Sequence, residues 1–380
     1  KMILRKLLIL TIITVVSQGV ASAGVINVPG DYPSIELAVD RVAAGDTIMI
    51  APGVYKLNLT ISDKAVTLAS RFLTTGDTSY VHRTVLDGAN ETVLNVGAGG
   101  ADTKVIGLTV RNGDDGIMAA CRMLIADCFF VANGDAIDYE GGGGVCRNNS
   151  FTGNHDDAID LDGPVAVLIV GNRIWNNNDD GIEIRLHPYT GPVLEIMILG
   201  NTIHANREDG IQFIDYSTDS DRKFIIERNI ITHNAMAALS CMGNENTVEN
   251  YEAFPVPEEI VLLNNTIIHN NYGVIGGARL AAVNNLIVST THAATKGIAA
   301  KSLIANNLFW DNGRDLDGCT ARRENNLYAD PLLTAGYRLS AGSPAVDAGA
   351  DRIEWNGQRL QSELAGDVNG KSVDIGAIER

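Results

Sequence analysis

Large rings are scarce in this chain: Phe, Trp and Tyr together make up 6% of 380 residues. With 39 glycines and abundant asparagine, that suits thin stacked coils better than a thick globular core. Basic residues are short as well, 29 Lys and Arg against 46 Asp and Glu, which argues against a nucleic-acid partner, since phosphate backbones want a basic surface. Five cysteines (Cys121, Cys128, Cys146, Cys241, Cys319) are too few and odd in number for a disulfide scaffold. They read as small buried fillers, with a bridge among the first three left open. No Cys/His cluster has zinc spacing, and no Gly-x-Ser-x-Gly elbow marks an acyl-transfer hydrolase. Beyond the N-terminus no apolar run approaches the length of a membrane span.

The N-terminal run itself reads as a secretory leader. Lys1, Arg5 and Lys6 give the positive end, residues 7–16 are nearly all apolar, and Ala21-Ser22-Ala23 has the small-x-small form of a cleavage site. Cleavage after Ala23 is expected, placing the protein in the periplasm, outside the cell or on its surface. Removing three positive charges leaves 26 against 46, a net charge of −20. An anionic substrate then needs bound cations to reverse the local field.

What the chain does have is repetition. Gly134-Asp135-Ala136-Ile137-Asp138, Asp156-Asp157-Ala158-Ile159-Asp160, Asp179-Asp180-Gly181-Ile182-Glu183 and Glu208-Asp209-Gly210-Ile211-Gln212 share one written form. They belong to a longer unit, Asn-x-(Ile/Phe)-x-x-Asn, a turn, then a Gly-Ile-like strand. Its first position is read at Leu108, Asp127, Asn149, Asn172, Asn201, Asn229, Asn265, Asn285, Asn307 and Asn326. Steps near 20 residues, strand-length apolar patches and no helical period predict a parallel β-solenoid. Leucine-rich repeats share the period but need a leucine framework that is missing. The recurring asparagines are expected to stack amide on amide and to occupy left-handed turns. Residues 36–44 fit a short amphipathic helix capping the first coil, stopped by Gly45-Asp46 before a strand at Thr47-Ile48-Met49-Ile50. The period breaks after residue 328, so the expected division is a leader (1–23), a capped β-helix (24–328) and a C-terminal capping segment (329–380).

The opening VPGDYPSIELAVDRVAAGDTIMIAPGVYKLNLTI, the GNxIxxN…DGI coils and the closing DPLL…YRLSAGSPAVDAG…VDIGAIE resemble secreted right-handed parallel β-helix proteins of the pectate-lyase-like superfamily. The resemblance spans nearly all of residues 25–380. It implies an all-β, right-handed parallel β-helix of ten or more coils. It also implies a polysaccharide-directed role, because the superfamily holds polyuronate lyases, uronan epimerases, polygalacturonases and pectin methylesterases, beside members with no known reaction.

Strand alternation places the chemistry. If the repeat isoleucines point inward, Asp138, Glu140, Asp160, Asp162 and Glu183 point outward on adjacent strands about 4.8 Å apart, followed by Arg185 and His187, then Gln212 and Tyr216. Like charges at that spacing repel by about 1–4 kcal/mol per pair. Calcium, which takes six to eight oxygens in flexible geometry, is the expected compensation. The turn residues Asp135, Asp157, Asp180 and Asp209 read as turn chemistry. The long steps follow the acidic strands, with extra residues near 186–193, 216–223 and 243–258. Together they are expected to wall a groove and to supply His187, Tyr189, Tyr216, Arg222, Lys223 and Tyr251 for sugar contact. In enzymes of the resembled family, calcium held by sheet carboxylates binds the uronate and an Arg or Lys removes the C5 proton. That implies Arg185 as base or carboxylate clamp, with a salt bridge to Glu183 or Asp162 as its plain alternative. The leading expectation is a monomeric, calcium-dependent polyuronate lyase acting on an acidic polysaccharide. A uronan epimerase and a non-catalytic adhesion module with structural calcium stay open. The polygalacturonase, methylesterase and alginate-epimerase signatures are not matched, the last because Leu186-His187-Pro188-Tyr189 lacks the aspartate of Asp-Pro-His.

Overall fold

The computed structural model describes residues 23–216, 220–362 and 370–380. Apart from Ala23, the leader falls outside them. Among the described residues three parallel sheets of 13, 12 and 11 strands run the length of the molecule, each strand pairing with its counterpart one coil on. This is a parallel β-helix, the all-β solenoid that the 20-residue period predicts. Every coil passes through a strand of the 11-stranded sheet, then one of the 13-stranded sheet, then one of the 12-stranded sheet. We call these the acidic, flank and third sheets.

The bore is filled by alternate residues from all three, among them Ile137, Ile159, Ile182, Ile211 and a Phe130–Phe151 stack with ring centres 4.9 Å apart. No disulfide crosses it: all five cysteines are free, and Cys121, Cys128, Cys146 and Cys241 are buried fillers.

Two of the three corners are locked by amide ladders. Between the flank and third sheets, Asn149, Asn172, Asn201, Asn229, Asn265, Asn285, Asn307 and Asn326 stack, each Oδ1 from Asn172 onward accepting from the backbone N–H and side-chain Nδ2 of the preceding asparagine. A second ladder, Asn133 to Asn270, closes the corner before the acidic sheet. Buried amides are costly unless every donor and acceptor is met, and stacking meets them repeatedly. One position of the sequence repeat moves. Cys128, not Asp127, is the coil equivalent of Asn149, because Cys128 N–H donates to Asn149 Oδ1 and Phe129 pairs with Ser150. Asp127 takes the left-handed turn (φ 57°) that Asn148 takes next (φ 54°).

The cap helix spans Ile35–Arg41, with Ser34 Oγ accepting from Leu37 N–H at 3.3 Å, and the following strand is Thr47–Ile50 as expected. Its buried stripe is Ile35, Ala38 and Val39, while Leu37 is half-exposed. The C-terminal segment lies along the outside of the last coils. Leu339, Ala345 and Ile375 pack on Ile268, Leu286 and Leu308 of the third sheet, while Trp355 packs on Val261, Ala281 and Leu303 of the flank sheet.

Candidate functional site

The repeat form Asp-x-Ile-Asp builds the acidic sheet twice over. Within each strand the isoleucine enters the bore and the next residue turns outward, so Met118, Asp138, Asp160, Glu183, Gln212 and Ser240 form one outward column in unbroken register. Before each strand the turn aspartates form a second column. Asp135 Oδ1 accepts the Asp157 N–H at 2.9 Å, Asp157 the Asp180 N–H at 2.7 Å, and Asp180 the Asp209 N–H at 2.6 Å. The turn reading of these residues holds in geometry, but each uses only one oxygen of its carboxylate this way.

The remaining oxygens converge with the outward column. Asp138, Glu140 and Asp162 bring carboxylate oxygens within 4.8 Å of one another, as do Asp157, Asp160 and Glu183, all three of the latter buried. Asp138 Oδ1 and Asp160 Oδ1 are sealed from solvent and accept no hydrogen bond. Asp138 is pushed up to about 7 by burial first and then by Glu140, Asp115 and Asp162. Asp160 is pushed up to about 9 by burial, Glu183 and Asp162, and Asp157 well above its usual range by burial and by Asp180. Carboxylates in such a place need protons or a cation. The donor set, all hard oxygens with several unpartnered, is the kind calcium takes.

Arg185 is the one strong base in the cluster. Its Nε lies 2.5 Å from Glu183 Oε1 and 3.2 Å from Asp162 Oδ1, and its Nη2 lies 3.8 Å from Asp160 Oδ2. Burial lowers its proton affinity, but Glu183 and Asp160 outweigh this and hold the guanidinium above its ordinary value. The salt-bridge alternative is therefore present in the structure. His187 stands at the rim, Nε2 3.9 Å from Asp162 and its ring 4.1 Å from that of Tyr216.

The other expected sugar contacts divide. Tyr189 packs at the wall with the Arg222 guanidinium 5.8 Å from its ring centre. Arg222 itself is buried and donates to His187 O at 2.8 Å, Gly163 O at 3.1 Å and Ser220 Oγ, so it braces the wall and is not offered to a ligand. Lys223 precedes inward Phe224 on the strand Ser220–Glu227, so it points to the flank sheet's outer side, 3.9 Å from Glu259. Gln212 continues the acidic column but is 1% exposed, with neither amide atom hydrogen-bonded.

All three long steps fall at the corner between the acidic and flank sheets, the corner without a ladder. The first two lengthen flank strands, giving Tyr189–Leu199 and Ser220–Glu227, which pair past a bulge between Tyr189 and Leu194. The third, 243–258, folds back across the acidic sheet: Glu249 meets Asp209, Tyr251 stacks on Tyr272 at 4.8 Å, and Phe254 N–H donates to Cys241 O. It buries the outward residues Ser240, Met242 and Ile275. The outward column from Asp138 to Gln212 is thus flanked on one side by the lengthened strands, and the excursion covers the sheet beyond Gln212. An open hollow lies elsewhere, at Arg279, Lys301 and Trp355 (≈ 590 Å³).

Comparison with known proteins agrees with this architecture. Residues 93–253 match the family model described as a right handed beta helix region. Among solved structures the chain is similar to pectate lyase Pel9A, at 16% identity and a TM-score of 0.61 over 95% of this chain and 98% of that one. It is also similar to the A-module of the Azotobacter vinelandii mannuronan C-5 epimerase AlgE6, at 14% identity and a TM-score of 0.56 over 78% of this chain and 93% of that one. The sequence matches no curated protein. In fold, the chain is a right-handed parallel β-helix.

Proposed function

We propose that the protein is a calcium-dependent polyuronate lyase whose site is the outward acidic cluster. The carrying observation is the set of buried, unpartnered carboxylate oxygens at Asp138 and Asp160, beside Glu140, Asp157, Asp162 and Glu183, on the outward face of the acidic sheet. These residues would hold the ion, which supplies charge to bind a uronate carboxylate and acidify its C5–H. The likeness in fold to a pectate lyase and a mannuronan epimerase supports a uronan as substrate class.

The chain's own groups then divide the work. Arg185, held charged by three carboxylates, acts as a clamp on the sugar carboxylate and not as a proton acceptor. His187, open at the rim and oriented by Tyr216, accepts the C5 proton. The C5–H electron pair forms the C4=C5 bond, the C4–O4 bond breaks, and the leaving oxygen takes a proton from Tyr216 or water. The half-exposed Tyr189 and Tyr216 give stacking surface along the wall.

The full chain incubated with pectate, alginate and glycosaminoglycans should generate the ultraviolet band of an unsaturated uronate, abolished by chelator. No band from any uronan with calcium present sinks the lyase reading. A changed proton NMR spectrum of the uronate without unsaturated ends would identify an epimerase, and binding without product an adhesion module.

A further inference from the structure

A second group of acids lies one to two coils further along, at the entry to the strands. Asp179, Asp180 and Glu208 bring carboxylate oxygens within 4.8 Å of one another. Asp179 touches Asp156 on one side and Glu208 on the other, acceptor against acceptor. Among the described residues no Lys, Arg or His pairs with any of these, nor with Asp209 or Glu249.

The independent sign of a ligand comes from the excursion at 243–258. Glu249 is 9% exposed, and its Oε2 has no hydrogen-bond partner. That carboxyl is carried across the sheet to Asp209 and acts on Glu208. Asp209 already spends Oδ1 on Ala237 N–H and Oδ2 on Ser240 Oγ, so it has no donor to offer Glu249. A loop thus ends its crossing with a buried carboxylate whose Oε1 accepts the Tyr251 N–H and whose unpartnered Oε2 is left against Asp209 and beside Glu208. Something positive belongs between them.

We propose that a divalent cation of the calcium class binds here, held by Asp179, Asp180, Glu208 and Glu249, and clasps residues 243–258 onto the solenoid. Hard oxygen donors from two adjacent coils and one loop suit calcium's flexible coordination. The clasp adjoins the groove cluster, with Asp180 donating its N–H to Asp157 Oδ1, but uses other carboxylates and stands whether or not the protein cleaves uronans. Its effect on the outward column is direct, because the clasped loop covers the sheet beyond Gln212.

The test is a calcium titration by calorimetry on the full chain, with hydrogen–deuterium exchange of residues 244–257 read in calcium and in chelator. The isosteric double variant Glu208→Gln, Glu249→Gln should bind one ion fewer than the parent and lose at least tenfold of the calcium-dependent protection of the loop. Asp138→Asn with Asp162→Asn, which alters only the groove cluster, should retain that loop protection. Equal loop protection in calcium and chelator means a shared proton holds Glu249 and overturns the proposal. So does an unchanged ion count in the Glu208/Glu249 variant, or loss of loop protection only in the groove variant.

Discussion

Glu258 sits at the foot of the wall with neither carboxylate oxygen well hydrogen-bonded, although Ser220 and Arg222 lie near. Burial first, and Asp215 next, push it up to about 7 from its ordinary 4.5. A carboxyl whose folded value lies above its unfolded one binds extra protons when folded. Its stabilisation is full below about 4.5 and is lost as pH rises towards about 7. Glu258→Gln should therefore melt above the parent at pH 8, by on the order of 2 kcal/mol, with the gap closing at pH 4; thermal melts at the two pH values decide it. Arg185 gives the second prediction at this scale. Arg185→Ala removes the clamp and frees three carboxylates, so turnover should fall by about 10²-fold or more while calcium binds as tightly as before or tighter. Matched loss of calcium affinity would show that the arginine organises the ion site instead. Residues also mark where sequence reasoning ran out. Asp138, Asp160 and Glu183 were readable because strand alternation is strict. Asp157 reads chiefly as a turn residue because period two does not apply there, yet it shares the buried cluster with Asp160 and Glu183. Arg222 and Lys223 read as sugar contacts because residue type says nothing of where a lengthened strand turns its side chains.

At the scale of elements, the asparagine ladder is the part of the repeat that is structural through and through. Asn201 donates to Ile169 O and Asn229 Oδ1, and its own Oδ1 receives Asn172 N–H and Nδ2. Asn201→Ala would orphan buried groups on both neighbouring coils and should cost roughly 2–4 kcal/mol. Asn326→Ala, part-buried at the last rung, should cost roughly half as much, and urea midpoints at constant slope compare the two. The cap helix was readable from Ser34 and its apolar stripe, and the coil strands from their period. The 243–258 excursion was visible only as extra length. Its path depends on Phe254 fitting beside Gly243, where an added Cβ would come within 2.0 Å of the ring, and on no local signal.

A solenoid distributes stability along its length, each coil answering mainly to its neighbours. Metal removal should then act regionally. In chelator, amides of the strands Asp135–Tyr139 to Ile211–Asp215 should lose more exchange protection than those from Thr266–Ile268 onward. Uniform loss along the chain would mean that any bound ions only screen the overall negative charge. The fold was readable at this scale because the period repeats ten times, whereas the site is built from departures that occur once. The unladdered corner explains how both coexist. Two corners are bolted by amides, and a residue added or lost there would turn every following side chain from core to surface. The third corner carries no such bolts, and 186–193, 216–223 and 243–258 all grow from it. Those segments behave as interchangeable fittings on a fixed frame: what the groove recognises can be rewritten there while the carboxylates keep their spacing.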